Sequence, residues 1–383
     1  MAYNGMIELP PAELQMIEKA RAFVDETVKP HAAAWERGQG DSRDVLPVAA
    51  QMGLLGLQVP VAHGGAGLSF NCKMRVMELI ATVDFGLAMS LVNTQNVADD
   101  LARAAAADVA QKYIPELLSG RRTGCTALTE PGAGSDFAAI ETTASAVPEG
   151  WCLDGHKMWI TNGAHAEVLI VYAQTRPDGG AAGIAAFVVD AMRPGFQRDP
   201  EIDMDAVRSI GTGGFRLKTY LCRHDEMLYP PGKAFKNALN SINGARAYVA
   251  AMCCGMVSES LVVASAYGLR RETFGKSLHE HQGWRWSLAD TAIDLDAARL
   301  LVGAAAARID AGQDAQGTAA RAKIFATRMA QKHIAALLHA MGAEGLRDEY
   351  PLMRHIAAAQ LAGLVDGSTE MLLERVAKDL RRS

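Results

Sequence analysis

The sequence predicts an α+β multidomain protein with an N-terminal helical domain over 1–122, a central strand-rich domain over 123–235 and a C-terminal helical domain over 236–383. Three observations predict it. From Pro11 to about Arg122, apolar residues fall near helical spacing. From about Thr123, short apolar runs alternate with clusters of Gly, Pro and Asp. From about Phe235, long Ala- and Leu-rich stretches return.

In the first segment Leu14, Ile17, Ala20, Ala22 and Val24 mark a helix, with Pro30 and Pro47 as punctuation. The run V-P-V-A-H-G-G-A-G-L at 59–68 reads as a glycine-rich connector between helices. In the middle segment, strands are expected at 151–153, 168–173, 184–189 and 215–222, separated by turn clusters such as R-P-D-G-G at 176–180. In the last segment, 294–309 and 318–341 lack proline and are rich in helix formers, with small residues that permit close helix crossings.

Composition narrows the class. At 383 residues the chain is long enough for two or three domains, and 49% apolar with 21% charged residues is ordinary for a soluble globular protein. A formal net charge of -5 gives no reason to expect nucleic acid as a partner. The start M-A-Y-N-G-M-I-E-L-P lacks the basic-then-apolar order of a secretory signal. No membrane span is expected, since Ser258, Glu259 and Ser260 interrupt the nearest candidate at 248–267, which reads as a buried helix. The cysteines at 72, 125, 152, 222, 253 and 254 show no C-x-x-C spacing, so a reduced, cytoplasmic compartment is expected.

Two runs carry the chemistry: L-T-E-P-G-A-G-S-D at 128–136 and K-M-W-I-T-N-G at 157–163. Gly132 and Gly134 are expected to turn the backbone sharply and let it approach a flat or anionic group. Thr129, Ser135 and Thr161 add hydroxyl donors, and Trp159 adds an aromatic face. Each run alone reads equally well as a hairpin with ordinary turn residues. The pair, in this order and spacing, resembles the acyl-CoA dehydrogenase family. R-R-E-T-F-G-K-S-L at 270–278 and D-G-S-T-E-M at 366–371 resemble two further family segments.

The resemblance implies a fold of N-terminal helical domain, central β-barrel-like domain and C-terminal four-helix bundle. It implies FAD as cofactor, held by Thr126, Leu128, Thr129, Gly134, Ser135, Trp159, Ile160 and Thr161, with Ser368 and Thr369. Arg271, Thr273 and Phe274 match positions that reach the FAD of a neighbouring subunit, which implies a homo-oligomer, as a tetramer, and His339, Gly342 and Ala343 match a further FAD-binding segment. Ser135, Asn243, Arg246 and Gly367 match substrate-side positions, although a buried structural arginine reads equally well at Arg246. An acyl thioester is the implied substrate, on CoA or an acyl carrier protein, and an electron-transfer flavoprotein the implied acceptor. No metal site is expected: His279-Glu280-His281 lacks the four-residue spacing that shares a helix face.

Removing hydrogens across the bond beside a thioester needs a base for the α-proton, donors on the carbonyl and a hydride acceptor. The resemblance places the base at Asp366, where the family carries glutamate. Aspartate is one methylene shorter, withdrawing the carboxylate by roughly 1.5 Å. The alternative reading of Asp366 is an N-cap for the helix that follows. Ala245 leaves the family's other base position empty.

Further departures are His63 for a tyrosine, His339 for a glutamine, Ala357-Ala358-Ala359 for R-D-A, and Val365 for an aromatic residue. They keep two other readings open. One is altered chemistry on the same scaffold: nitroalkane oxidase-like, although the arginine expected seven residues past the base is Leu373, or enoyl thioester reductase or desulfinase. The other is a non-catalytic subunit of a mixed oligomer.

Overall fold

The computed structural model describes residues 9–200 and 202–380. Its α-helices are α1 Pro11–Phe23, α2 Ala32–Glu36, α3 Leu46–Gln51, α4 Phe70–Ala81, α5 Phe85–Ala104, α6 Ala107–Leu118 and the single turn α7 Gly180–Gly183. After them come α8 Ala234–Arg270, α9 Gln282–Asp310, α10 Gln316–Met341, α11 Leu352–Leu364 and α12 Thr369–Leu380. The strands of the middle segment are β1 Gly124–Ala127, β2 Thr143–Val147, β3 Gly150–Ile160, β4 Val168–Gln174, β5 Ile184–Asp190, β6 Phe196–Arg198, β7 Gly213–Arg223 and β8 Met227–Tyr229. A small hairpin, β9 Glu272–Thr273 and β10 Lys276–Ser277, follows α8. Two compact units result: 43–68 with 89–241, and the residues up to 42 with 69–88 and 242 onward.

The first unit holds one mixed sheet in the order β6-β7-β3-β2-β4-β5-β8, with β1 parallel to β4. Strand β5 is buried along its whole length and β4 up to Gln174, because both faces of the sheet are covered. Leu169, Val171, Phe187 and Val189 pack with Phe215 and Tyr220 on one face. Val168, Ile170, Ala186 and Val188 pack on the other against Leu101 of α5 and Tyr113, Ile114 and Leu117 of α6. This two-sided burial is why both strands read as continuous apolar runs rather than alternating ones, and each large side chain so buried contributes about 1.5–3 kcal/mol.

The second unit is helical. Gly255 lets α8 cross α4 closely, since a Cβ there would lie 2.1 Å from the Glu78 carbonyl oxygen. Beside that crossing, Arg299 of α9 donates to the Glu78 carboxylate at 2.6 Å. The start of α4 is capped twice. The Ser69 hydroxyl accepts from the Cys72 amide, and the Asp310 carboxylate accepts from Phe70 and Asn71 at 2.7 and 3.1 Å. The inner face of α1 is Glu13, Met16, Ala20 and Phe23, while Leu14 is half exposed. Glu13 turns inward because its carboxylate accepts from the Ser69 amide at 2.9 Å, which rotates the expected apolar stripe. Helix α8 is long and apolar enough to cross a membrane, but 61% of its most apolar window is buried within the protein.

Candidate active site

The two motif runs are joined in the sheet unit. Glu130 and Ala133 close a tight turn over Pro131-Gly132, with Glu130 N donating to Ala133 O at 2.9 Å. Lys157 of β3 is 1% exposed and reaches across to the first run. Its Nζ donates to Leu128 O at 3.0 Å and to Glu130 Oε1 at 2.8 Å, and Met158 N donates to Thr129 O at 3.1 Å. The Glu130 carboxylate also accepts from the amides of Glu141 and Thr142 at 2.6 and 3.0 Å. Burial alone would raise the Glu130 carboxyl, but the Lys157 charge and these donors reverse the shift and hold it below its usual range. Burial also draws Lys157 down to about 8, with Glu130 opposing.

A register shift against β7 places one extra residue in β3 between Lys157 and Ile160. The bulge keeps both of these buried and turns Trp159 outward, 58% exposed and with φ +61°. Beyond it, Asn162 is fully buried with φ +62°. Its Nδ2 donates to Ser90 O and Gly124 O, both at 2.9 Å, tying the run to α5 and β1. Thr94 accepts from the Gly124 amide, which ties α5 to the sheet, and Gln95 donates to Leu54 O.

The chemistry of these two runs suits a flavin. Gly132 and Gly134 depart from expectation, since neither has a positive φ and a Cβ on either would meet nothing within 4 Å. Their smallness is therefore not needed by the turn, which leaves close approach by a bound group as its use. Gly134 and Ser135 are exposed, Thr126, Leu128, Thr129 and Thr161 are half-buried, and the Trp159 ring is turned outward. Ile160 is the exception, buried in the sheet core, so only its backbone is available to a ligand.

In the helical unit, the base candidate lies in the turn between α11 and α12. Asp366 and Gly367 take φ +53° and +97°, two successive left-handed residues. Aspartate and glycine tolerate that region better than most. Arg246 Nε donates to Asp366 O at 3.1 Å and its Nη1 to Asn243 Oδ1 at 2.8 Å, so both substrate-side candidates from α8 are structurally engaged. Lys323 of α10 donates to Val365 O and, at 2.7 Å, to Gly367 O. The cations thus hold the main chain, while Asp366 Oδ2 is buried with no hydrogen-bond partner among the described residues. Burial raises the Asp366 carboxyl, partly countered by Lys323 and Arg246. Asp366 does not cap α12. Ser368 stands at that position, with its Oγ 3.5 Å from the Met371 amide, and Thr369 opens the helix.

The remaining candidates are on the surface of the helical unit. Arg271 is exposed, and Phe274, at the tip of the β9–β10 hairpin with φ +52°, is 97% exposed. His339, Gly342 and Ala343 are exposed at the end of α10. Sequence reasoning assigned no role to Glu130, Lys157, Asn162 or Lys323. The available signal was a charged residue at a core position: Lys323 shares helical spacing with Ala319, Ala326 and Ala330, all buried.

The sheet unit thus carries an exposed glycine- and hydroxyl-rich run beside an outward indole, and the helical unit a carboxylate with one buried oxygen that has no hydrogen-bond partner among the described residues. Family models for the N-terminal, middle and C-terminal domains of acyl-CoA dehydrogenases match residues 10–121, 125–220 and 232–381. The chain belongs to the acyl-CoA dehydrogenase family of flavoprotein oxidoreductases. It is 31% identical to human mitochondrial short-chain specific acyl-CoA dehydrogenase over 384 residues, 98% of this chain and 92% of that one. Butyryl-CoA dehydrogenase of Megasphaera elsdenii superposes with a TM-score of 0.93 at 28% identity, covering 100% of both chains. A glutaryl-CoA dehydrogenase of Mycobacterium smegmatis, solved in complex with FADH2, superposes with a TM-score of 0.91 at 26% identity, covering 98% and 96%.

Proposed function

We propose that this protein dehydrogenates the α,β bond of a short-chain acyl thioester, carried on CoA, with Asp366 as the base that takes the α-proton. The observation that carries this reading is the Asp366 carboxylate: one buried oxygen has no donor among the described residues, and burial favours binding a proton there. FAD is the cofactor and, when bound, supplies the acceptor for the β-hydrogen and its electron pair. Thr126, Leu128, Thr129, Gly134, Ser135, Trp159, Ile160 and Thr161 hold it from the sheet unit. Ser368 and Thr369 border the base.

Anaerobic titration with butyryl-CoA, isovaleryl-CoA and longer acyl-CoAs, followed by flavin absorbance, tests the reading. Bleaching by one class, abolished in Asp366→Asn, is the expected result. Wild-type reduction rates in Asp366→Asn would remove Asp366 as base. Flavin that responds only to acyl groups on a carrier protein would move the substrate from CoA to that carrier.

The reading includes a homotetramer in which Arg271, Phe274, His339, Gly342 and Ala343 of one copy complete the cofactor site of another. It is supported by the bare Phe274 and by exposed Val262, Leu269, Trp286, Ile293 and Leu300, which recur at seven-residue intervals along α8 and α9. A monomer by sedimentation at micromolar concentration, with FAD fully bound, would contradict it. An electron-transfer flavoprotein is the proposed acceptor. Reoxidation no faster with that partner than with dioxygen alone would argue against it.

A further inference from the structure

We propose that Lys323 is a positioning residue for the dehydrogenation: by gripping the main chain on both sides of Asp366 it aims the Asp366 carboxylate and peptide N–H. This inference rests on Asp366 being the base. Lys323 is 1% exposed on α10, and its ammonium takes the carbonyl oxygens of Val365 and Gly367, the residues immediately before and after Asp366. Arg246 takes the carbonyl between them. Three successive carbonyl oxygens are therefore fixed by two cations from different helices.

The geometry passes directly to the reacting groups. A trans peptide is planar, so its C=O and N–H point in opposite directions. Holding Val365 O against Lys323 turns the Asp366 N–H away from the lysine, and holding Gly367 O does the same for the Ser368 N–H. The left-handed conformation of Asp366 is otherwise sparsely populated, and such strain persists only where surrounding contacts over-determine it. Lys323 supplies two of those contacts. Its backbone is steadied in turn, since Thr327 Oγ1 donates to Lys323 O at 2.8 Å and the neighbouring Ile324 packs on Leu372 of α12.

A lysine that merely neutralised a buried carboxylate would act through charge alone. The contacts made here are to main-chain oxygens, so loss of the donors should disturb aim as well as charge. The charged groups acting on Asp366 are Lys323 and Arg246, with Arg375 acting in turn on Arg246. Removing the lysine charge should therefore move the titration of Asp366 upward.

The test uses the FAD-loaded full chain and anaerobic stopped-flow reduction by butyryl-CoA and isovaleryl-CoA across pH. In Lys323→Met we expect flavin retention as in wild type and a limiting reduction rate about 10–100-fold lower. Thioester Kd should change less than threefold, and the pH midpoint of the rate should rise. Lys323→Gln, which keeps a donor but no charge, should recover part of the rate while keeping the raised midpoint; it carries the same readouts if Lys323→Met does not fold. A wild-type rate and midpoint in both variants would overturn the proposal. So would a rate loss that tracks flavin loss with the midpoint unmoved. Asp366→Asn separates the two levels: if it is inert while both lysine variants behave as wild type, only the Lys323 role fails. If it reduces normally, the base assignment fails and the Lys323 role with it.

Discussion

Lys157 and Glu130 meet at 2.8 Å inside the sheet unit, and each comes from a different one of the two runs proposed to hold the flavin. The ion pair is therefore the joint that makes one surface from two stretches of chain. Its geometry is supported by three further hydrogen bonds: Lys157 to Leu128 O, and the Glu141 and Thr142 amides to Glu130. That is the condition under which a buried pair tolerates its loss of solvent.

Lys157→Met leaves the Glu130 carboxylate buried beside two amides without a cation, and we expect about 3–5 kcal/mol lost in denaturant unfolding. Flavin retention should fall with it. The double variant Lys157→Met/Glu130→Gln should recover much of that stability. The Glu130 carboxyl titrates below its ordinary 4.5 in the folded protein. Its contribution is therefore complete above that value and is lost as pH falls through the lowered one. Acid unfolding of Glu130→Gln should accordingly be less steep than that of wild type.

Gly134→Ala should separate folding from cofactor binding. The φ there is not positive and the added Cβ meets no atom of the chain, so apo stability should stay level or rise by about 0.4–1 kcal/mol. FAD affinity should drop at least tenfold, measured by flavin fluorescence on rebinding to apoprotein. Unchanged affinity would mean that no ligand approaches Gly134.

Asp366→Asn should stabilise the protein at neutral pH while abolishing flavin reduction. The carboxyl is raised above its ordinary 3.8, so between 3.8 and the raised value the folded chain holds a proton there that the unfolded chain has released. Stability from this group is present below 3.8 and is lost as pH rises through the folded value. Melting temperatures of wild type and Asp366→Asn should thus diverge with rising pH. Parallel curves would show that the carboxyl is not held protonated by burial.

The sheet and the long helices were legible because their signals are local. Strands β4 and β5 stand out as apolar runs, and α9 and α10 as proline-free stretches. The inner face of α1 was not, because the Glu13 carboxylate answers to the Ser69 amide, a partner 56 residues away. The site was read in the same uneven way. Ser135, Trp159 and Asp366 could be picked out by residue type within a run. The contacts of Lys157 and Lys323 could not, since each depends on a fold that brings distant carbonyl oxygens to an ammonium. The roles of Gly132 and Gly134 were legible only in part: the close approach fits, but the turn at Pro131 forms without their special freedom.

The extra residue in β3 beside Trp159 makes the number of residues in this run matter independently of their kind. Side chains alternate along a strand, so the same residues paired without the bulge would put every position after Met158 on the opposite face. Ile160 would face solvent, Asn162 would lose Ser90 and Gly124, and the indole would be driven into the sheet. Relatives that keep the outward turn of this indole are therefore expected to vary in sequence here while keeping the three-residue step from the position of Lys157 to that of Ile160.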